Sequence, residues 1–175
     1  MTHGGPESAD GSDGAQRAVE AAEALGLEHT VTRHGRVRSL EEAAAARGVE
    51  PRQVVKTIVV RLADDDYRFV LVPGDREIAW PKLRALLGVN RLSMPSADVA
   101  FAVTGYVRGT ITPLGSTSAW PVVADASLSG PVSVGGGAHG VALTVEADAL
   151  VRALDATVAD VTGPTAPEAP SAPTA

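Results

Sequence analysis

Lysine is rare in this chain, and one of its two lysines occupies an unusual place. Strand alternation within Val-Val-Lys-Thr-Ile-Val-Val-Arg-Leu puts Lys56 on the same face as Ile58, Val60 and Leu62. One interpretation is a strand-end lysine whose stem packs on the core while its ammonium reaches water. The other is a pocket lysine directed at an anion or a carbonyl oxygen, where water competes poorly because the core is close.

A second candidate for chemistry is the segment from Gly105 to Gly115. It holds three glycines, a proline and two threonines in eleven residues. This composition is typical of a shaped loop whose backbone approaches a ligand closely. It is also typical of two tight turns between short strands, which is the interpretation that composition alone favours.

The third candidate is the glycine-rich run at residues 135–140, Gly-Gly-Gly-Ala-His-Gly, which matches the pattern GxGxxG and is followed twenty residues later by Asp160. A dinucleotide-binding fingerprint requires a helix that begins at its last glycine. Here the following residues 141–145 alternate like a strand. We therefore reject an NAD(P)-dependent oxidoreductase and predict a glycine hairpin between two strands.

Other common kinds of site are not supported. The chain has no cysteine, which excludes disulfides, thiolate metal sites and a cysteine nucleophile. Its four histidines form no HExxH pair, and neither a GxSxG elbow nor a GxxxxGK[ST] loop is present. We expect no metal and no cofactor.

Charge and hydropathy limit the partners. The net charge is −6, but residues 16–162 carry only −2, and the stretch from Arg33 to Lys56 has a local excess of three positive charges. This balance disfavours binding along a nucleic-acid duplex, so no DNA partner is expected, while a small anionic contact is allowed.

Residues 126–145 carry no charge, but their glycines, serines and proline argue against a membrane span. No secretory signal is recognisable, so a cytoplasmic location is expected.

The pattern predicts one domain of mixed α+β class, with a largely antiparallel sheet partly wrapped by helices. The predicted domain covers residues 15–162, between disordered tails at 1–14 and at the Pro/Ala-rich 163–175. Glycine stops and capping residues predict helices at 15–25, 39–48, 81–88, 96–103 and 146–154. Apolar and β-branched runs predict strands at 28–33, 54–62, 67–72, 109–111, 121–124, 132–134 and 141–145.

Three segments in order resemble a known family. They are residues 48–57, which contain the Lys56-Thr57 pair, residues 104–115 with the GXXXP pattern from Gly109 to Pro113, and the turn at 134–140 with the helix around Asp148. Together they resemble the YbaK/EbsC family, which comprises Cys-tRNA(Pro) deacylases and the editing domain associated with prolyl-tRNA synthetase. The resemblance covers residues 20–162.

The resemblance implies a trans-editing hydrolase that cleaves the ester between a wrong amino acid and the 3′ end of a tRNA. It implies Lys56 and Gly109 as catalytic residues, with a nucleophile that comes from the substrate or from an oriented water. The implied substrate-binding residues are Thr57, Gly105, Tyr106, Thr110, Ile111, Thr112, Pro113, Gly135 and Gly136. Arg33, Arg36 and Arg38 are candidate tRNA contacts. The implied partner is the acceptor end of an aminoacyl-tRNA, with a prolyl-type aminoacyl-tRNA synthetase as a second candidate.

The sequence departs from the cysteine-specific pattern at two positions. Gly135 stands where those deacylases carry a serine, and Ala142 stands where they carry an aspartate. The loss of both polar groups makes alanine, serine or another small residue a competitor for cysteine as the edited amino acid. The alternative function is a non-catalytic module of the same fold that binds an aminoacyl-tRNA or a nucleotide without hydrolysing it.

Overall fold

A computed structural model describes residues 7–165, and the side chains from residue 13 onward. The helices are α1 (Glu7–Ala24), α2 (Leu40–Arg47), α3 (Trp80–Leu87), α4 (Ala97–Thr104) and α5 (Ala147–Ala153), with a short 3₁₀ turn at Pro51–Gln53. The strands are β1 (Thr30–Arg33), β2 (Val55–Ala63), β3 (Asp66–Pro73), β4 (Arg76–Ile78), β5 (Val122–Asp125), β6 (Pro131–Gly135), β7 (Val141–Glu146), β8 (Thr157–Ala159) and β9 (Thr162–Pro164).

The strands form three small sheets. β1, β7 and β6 make an antiparallel sheet, and β4 pairs with β9 in an antiparallel ribbon. The third sheet has the order β2-β3-β5-β8, in which β2 and β3 are antiparallel while β5 is parallel to both of its neighbours. The predicted α+β class with a mixed, largely antiparallel sheet is confirmed.

Local signals in the sequence explain several elements. Ser39 caps α2 by accepting the N–H of Glu42 at 3.0 Å, and Gly48 ends that helix in the left-handed conformation at φ 71°. Glu42 reaches back to the N–H of Arg38 rather than to that of Ser39. The predicted hairpin of β2 and β3 also forms, with Thr57 opposite Leu71.

Most buried apolar side chains form two clusters on opposite faces of β2. Val55 and Val59 belong to the larger one, which α1, α5 and the sheet of β1, β6 and β7 enclose. Val60 belongs to the smaller one, against β4 and α3. The alternation that puts Lys56 on the Val60 face is therefore present. Within residues 7–165, no helix is both long enough and apolar enough to cross a membrane.

The first helix begins earlier than predicted. Residues 7–14, which the sequence assigned to a tail, form the first two turns of α1. Glycines in this stretch disfavour an isolated helix, but Gly14 lets α1 lie directly against the turn at Gly137, where a side chain would clash. Tertiary packing therefore overrides the local preference. Residues 1–6 lie outside the described residues.

Three strands were missed and one was wrongly predicted. β4, β8 and β9 are only three residues long, and each is recruited by a partner distant in sequence, which no local pattern reveals. Pro164 ends β9 opposite Arg76, two residues beyond the predicted domain boundary. The segment 109–111 is a turn rather than a strand. Residues 166–175 lie outside the described residues.

Candidate functional site

The segment Gly105–Gly115, called here the glycine loop, is closed by its own tyrosine. Tyr106 is only 1% exposed, and its hydroxyl donates to the carbonyl of Leu114 at 2.7 Å. Burial raises the pKa of Tyr106, although Arg17 opposes this shift. The predicted substrate-binding Tyr106 thus holds the two ends of the loop together.

Arg17 of α1 clamps the glycine loop from outside. Its guanidinium lies 4.7 Å from the ring centre of Tyr106 and donates to the carbonyl oxygens of Gly105 at 2.8 Å and Gly115 at 3.4 Å. Sequence reasoning missed this residue, because its partners are about ninety residues away and its spacing resembles that of a solvated helix arginine.

The threonines of the loop are also engaged internally. Both the N–H and the hydroxyl of Thr110 donate to the carbonyl of Val107, at 3.0 and 2.7 Å. The hydroxyl of Thr112 accepts the N–H of Leu114 at 3.2 Å. Both threonines are buried, whereas Gly109 is exposed with φ at 91°, a conformation that favours glycine. The loop therefore presents Gly109 outward, while Ile111 and Pro113 are partly buried.

The glycine turn between β6 and β7 meets this loop. The N–H of Gly137 donates to the carbonyl of Thr110 at 3.2 Å, and that of Gly136 donates to Val141 at 2.9 Å. A Cβ at Gly135 would lie 2.9 Å from the carbonyl oxygen of Ile111. The predicted glycine hairpin is thus confirmed, since β7 follows Gly140, and it requires glycine where two backbones touch.

A cleft of about 630 Å³ opens where these two segments meet. It is lined by His34, Gly35, Arg36, Val37, Arg47, Gly109, Gly135, Ala138, His139, Gly140 and Val141. Three of the residues that the family resemblance implies, Gly109, Gly135 and Arg36, line it. None of these described lining residues is acidic. We call this space the glycine cleft.

Two polar side chains in the glycine cleft each have one buried nitrogen without a partner among the described residues. Nδ1 of His34 contacts the carbonyl oxygen of Gly35 at 2.8 Å, while its buried Nε2 has no hydrogen-bond partner there. Arg47 makes one long contact of 3.5 Å to the hydroxyl of Ser133, and its buried Nε is unpaired. Burial lowers the pKa of Arg47. Neither residue was predicted as part of a site.

Lys56 lies beside the glycine cleft without lining it in the described structure. A parallel bridge joins Val54 to Ser133, and two residues further along each chain come Lys56 and Gly135. The ammonium of Lys56 is exposed and donates to the carbonyl of Arg76 at 2.6 Å. Burial lowers the pKa of Lys56, although Glu77 and Asp75 raise it. The structure thus brings the lysine backbone, not its ammonium, near the cleft.

The remaining predicted residues lie in different places: one faces the core, one lines the cleft and two lie elsewhere on the surface. The hydroxyl of Thr57 is buried without a partner among the described residues, on the face of β2 opposite Lys56. Arg33, Arg36 and Arg38 are all exposed, but only Arg36 lines the glycine cleft. Arg33 instead lines a shallow pocket against α1.

A second cleft, of about 710 Å³, lies between the end of α1 and β7. Its lining includes three carboxylates, Glu23, Glu28 and Glu146. Such a surface repels a polyanion, whereas the glycine cleft attracts one. Electrostatics therefore make the smaller glycine cleft the better candidate site.

These features define a mixed α+β domain whose site is framed by glycine backbone and basic side chains. Residues 34–153 match the family model for the aminoacyl-tRNA editing domain, and the chain belongs to that family. The resemblance drawn from the three sequence motifs is confirmed.

Similar proteins agree with this membership. The chain is 39% identical over 112 residues to a proline–tRNA ligase of Geobacter sp. strain M21, and 36% identical over 92 residues to that of Thermosipho melanesiensis. These alignments cover 64% and 53% of this chain but only 19% and 16% of the ligases. The chain thus spans about a fifth or less of the length of these two ligases.

Solved structures show the same fold over nearly the whole chain. A proposed trans-editing enzyme for prolyl-tRNA synthetase superposes with a TM-score of 0.78 at 26% identity, covering 86% of this chain and 97% of that one. A hypothetical protein superposes with a TM-score of 0.76 at 29% identity, covering 84% and 99%.

Proposed function

We propose that this chain is a trans-editing hydrolase that removes a small, wrongly attached amino acid from a tRNA. The observation that carries the proposal is the meeting of the Gly109 loop and the Gly135 turn at one cationic cleft. Family membership supports an editing role, and the similarity to proline–tRNA ligases supports tRNA(Pro) as the tRNA. A prolyl-type synthetase is the proposed partner.

The need for such an enzyme follows from the limits of binding. A synthetase pocket distinguishes amino acids that differ by one methylene by only about 1–3 kcal/mol. Smaller competitors are therefore attached at appreciable rates, and hydrolysis at a second site removes them. Because Gly135 and Ala142 offer no side-chain polar group, we propose alanine, serine or cysteine as the edited residue.

The proposed mechanism relies on positioning rather than on a side-chain nucleophile. Gly109 lines the cleft. Because it has no side chain, the ester can approach the loop backbone closely. Backbone N–H groups of this loop would stabilise the negative charge that develops on the carbonyl oxygen. Clamping by Arg17 and Tyr106 keeps the loop in place before substrate binds.

Lys56 is the proposed cationic contact to the substrate. Its hydrogen bond to the Arg76 carbonyl is exposed to solvent, so exchange for an anionic substrate costs little. From its place beside Gly135, the ammonium would turn towards the terminal nucleotide or the ester carbonyl. The attacking group would be a bound water or a hydroxyl of the substrate.

The proposal is tested by incubating the protein with tRNA(Pro) that carries labelled alanine, serine or cysteine, beside Pro-tRNA(Pro). Faster loss of one mischarged ester than in buffer alone, with Pro-tRNA(Pro) spared, is the expected result. Binding of these tRNAs without ester loss would instead establish the non-catalytic module.

A further inference from the structure

Arg47 is a half-buried cation with no acidic partner in the described structure. It lies in the last turn of α2, where the helix dipole compensates a cation only in part. Its single side-chain contact is to a neutral hydroxyl at 3.5 Å, and its Nε is buried without a partner among the described residues. The unpaired buried Nε carries a desolvation cost, and the guanidinium is free to bind an anion.

The surroundings of Arg47 favour an anion that enters from solvent. The glycine cleft that Arg47 lines contains Arg36 as a second cation, and no acid is among its described lining residues. Gly35, Gly109, Gly135 and Gly140 leave room for a bulky group beside the guanidinium. The planar guanidinium matches two oxygens of a phosphate or a carboxylate.

His34 favours a nucleotide over a bare anion. A carbonyl oxygen only accepts hydrogen bonds, so the contact with Gly35 assigns the proton of a neutral imidazole to Nδ1. The unpartnered Nε2 is then an acceptor in the same cleft as the Arg47 donor. A nucleotide matches both groups: its phosphate accepts a hydrogen bond from Arg47, and its ribose hydroxyls donate to Nε2 of His34.

We propose that Arg47 binds the phosphodiester that joins the last two nucleotides of the substrate's acceptor end, with His34 facing the adjoining ribose. This assignment rests on the proposed function for the identity of the nucleic acid. It would fix the terminal adenosine at the mouth of the glycine cleft, so that the ester reaches Gly109.

The test uses the full chain and the dinucleotide CpA, which carries one such phosphodiester between cytidine and adenosine. Its matched probe is CpA with an uncharged methylphosphonate in place of that phosphate. Titration calorimetry would compare the wild type with Arg47→Leu, and with Arg152→Leu as a control for an exposed arginine outside the cleft. Because a hydrogen bond to a charged group is lost, Arg47→Leu should weaken CpA binding about tenfold or more. Arg152→Leu should not.

Stability separates a binding defect from misfolding. Since Arg47→Leu removes a half-buried cation whose buried Nε is unpaired, its Tm should equal or exceed that of the wild type. Equal CpA affinity in Arg47→Leu and wild type would overturn the proposal, as would equal binding of CpA and the methylphosphonate by the wild type. Inorganic phosphate that binds as tightly as CpA would show a free-anion site and overturn the nucleotide assignment. None of these measurements requires ester hydrolysis, so this proposal and the proposed function fail separately.

Discussion

Gly14 of α1 packs so closely against Gly137 of the glycine turn that a Cβ at residue 14 would lie 2.1 Å from the Gly137 carbonyl oxygen. The same Cβ would lie 3.5 Å from the ring of Tyr106. The first helix therefore supports both segments that frame the glycine cleft, and its glycine is a packing requirement.

Gly14→Ala tests this packing, because close packing and helix propensity predict opposite changes in the free energy of unfolding. In a solvent-exposed helix the change would stabilise by about 1 kcal/mol, because alanine is the better helix former. Here the new methyl group clashes with backbone, so we expect a loss of about 1–3 kcal/mol in the free energy of unfolding. Urea unfolding measures the difference, and a gain in stability would show that α1 does not pack against the turn.

Gly109→Val should abolish hydrolysis by filling the cleft. Gly109 has φ at 91°, and its new Cβ would approach Cε1 of His139 to 3.4 Å. The matched control is Gly88→Val at the end of α3, where φ is 66° and no atom lies within 4 Å of the added Cβ. In both variants the positive φ should lower the free energy of unfolding by about 1–2 kcal/mol, because a side chain disfavours this backbone conformation. Ester loss measured at equal folded fraction should fall only in Gly109→Val, and equal rates in the two would place the site elsewhere.

The hydrogen bonds of Asp125 should make part of the free energy of unfolding depend on pH in the acid range. Burial alone would raise the pKa of Asp125, but hydrogen bonds from Ser127, Val161 and Thr162 outweigh it and the pKa is lowered. A lowered carboxyl pKa stabilises the fold above the unfolded value of about 3.9, and this contribution is lost as pH falls through the folded value.

Asp125→Asn should therefore cost about 1–3 kcal/mol at neutral pH and less in acid. Urea unfolding of wild type and variant at both pH values measures the two differences. Asp64→Asn serves as a control, because that carboxylate is 89% exposed. A difference that stays constant or grows in acid would contradict the assigned hydrogen bonds.

The elements that the sequence predicted well are those with local signals. The hairpin of β2 and β3 follows from two β-branched runs on either side of an acidic tip, and α2 follows from Ser39 and Gly48 at its ends. Gly109 and Gly135 also line one cleft, because glycine-rich composition marks places where two backbones come close, but their role as site residues stays a prediction.

What the sequence did not reveal depends on contacts between distant residues. Arg17 reaches a carbonyl 88 residues away, and Arg47 reaches a hydroxyl 86 residues away. Arg47 resembled an ordinary arginine at a helix end, since only the folded structure shows that Nε is buried and unpaired. Strand alternation also cannot predict the rotamer of Lys56. It assigns the side chain to one face of β2 but does not say where the ammonium lies.

The most direct test of lysine-dependent editing is the effect of Lys56→Ala on the hydrolysis of whichever mischarged tRNA(Pro) the wild type cleaves. Lys82→Ala is the matched control, because Lys82 is the only other lysine and its ammonium pairs with Asp160 at 2.9 Å on the surface. We expect Lys56→Ala to lower the rate roughly a hundredfold or more at unchanged Tm, as for other lost electrostatic contacts to a transition state. Lys82→Ala should retain near-normal turnover. Near-normal turnover by Lys56→Ala would contradict lysine-dependent editing.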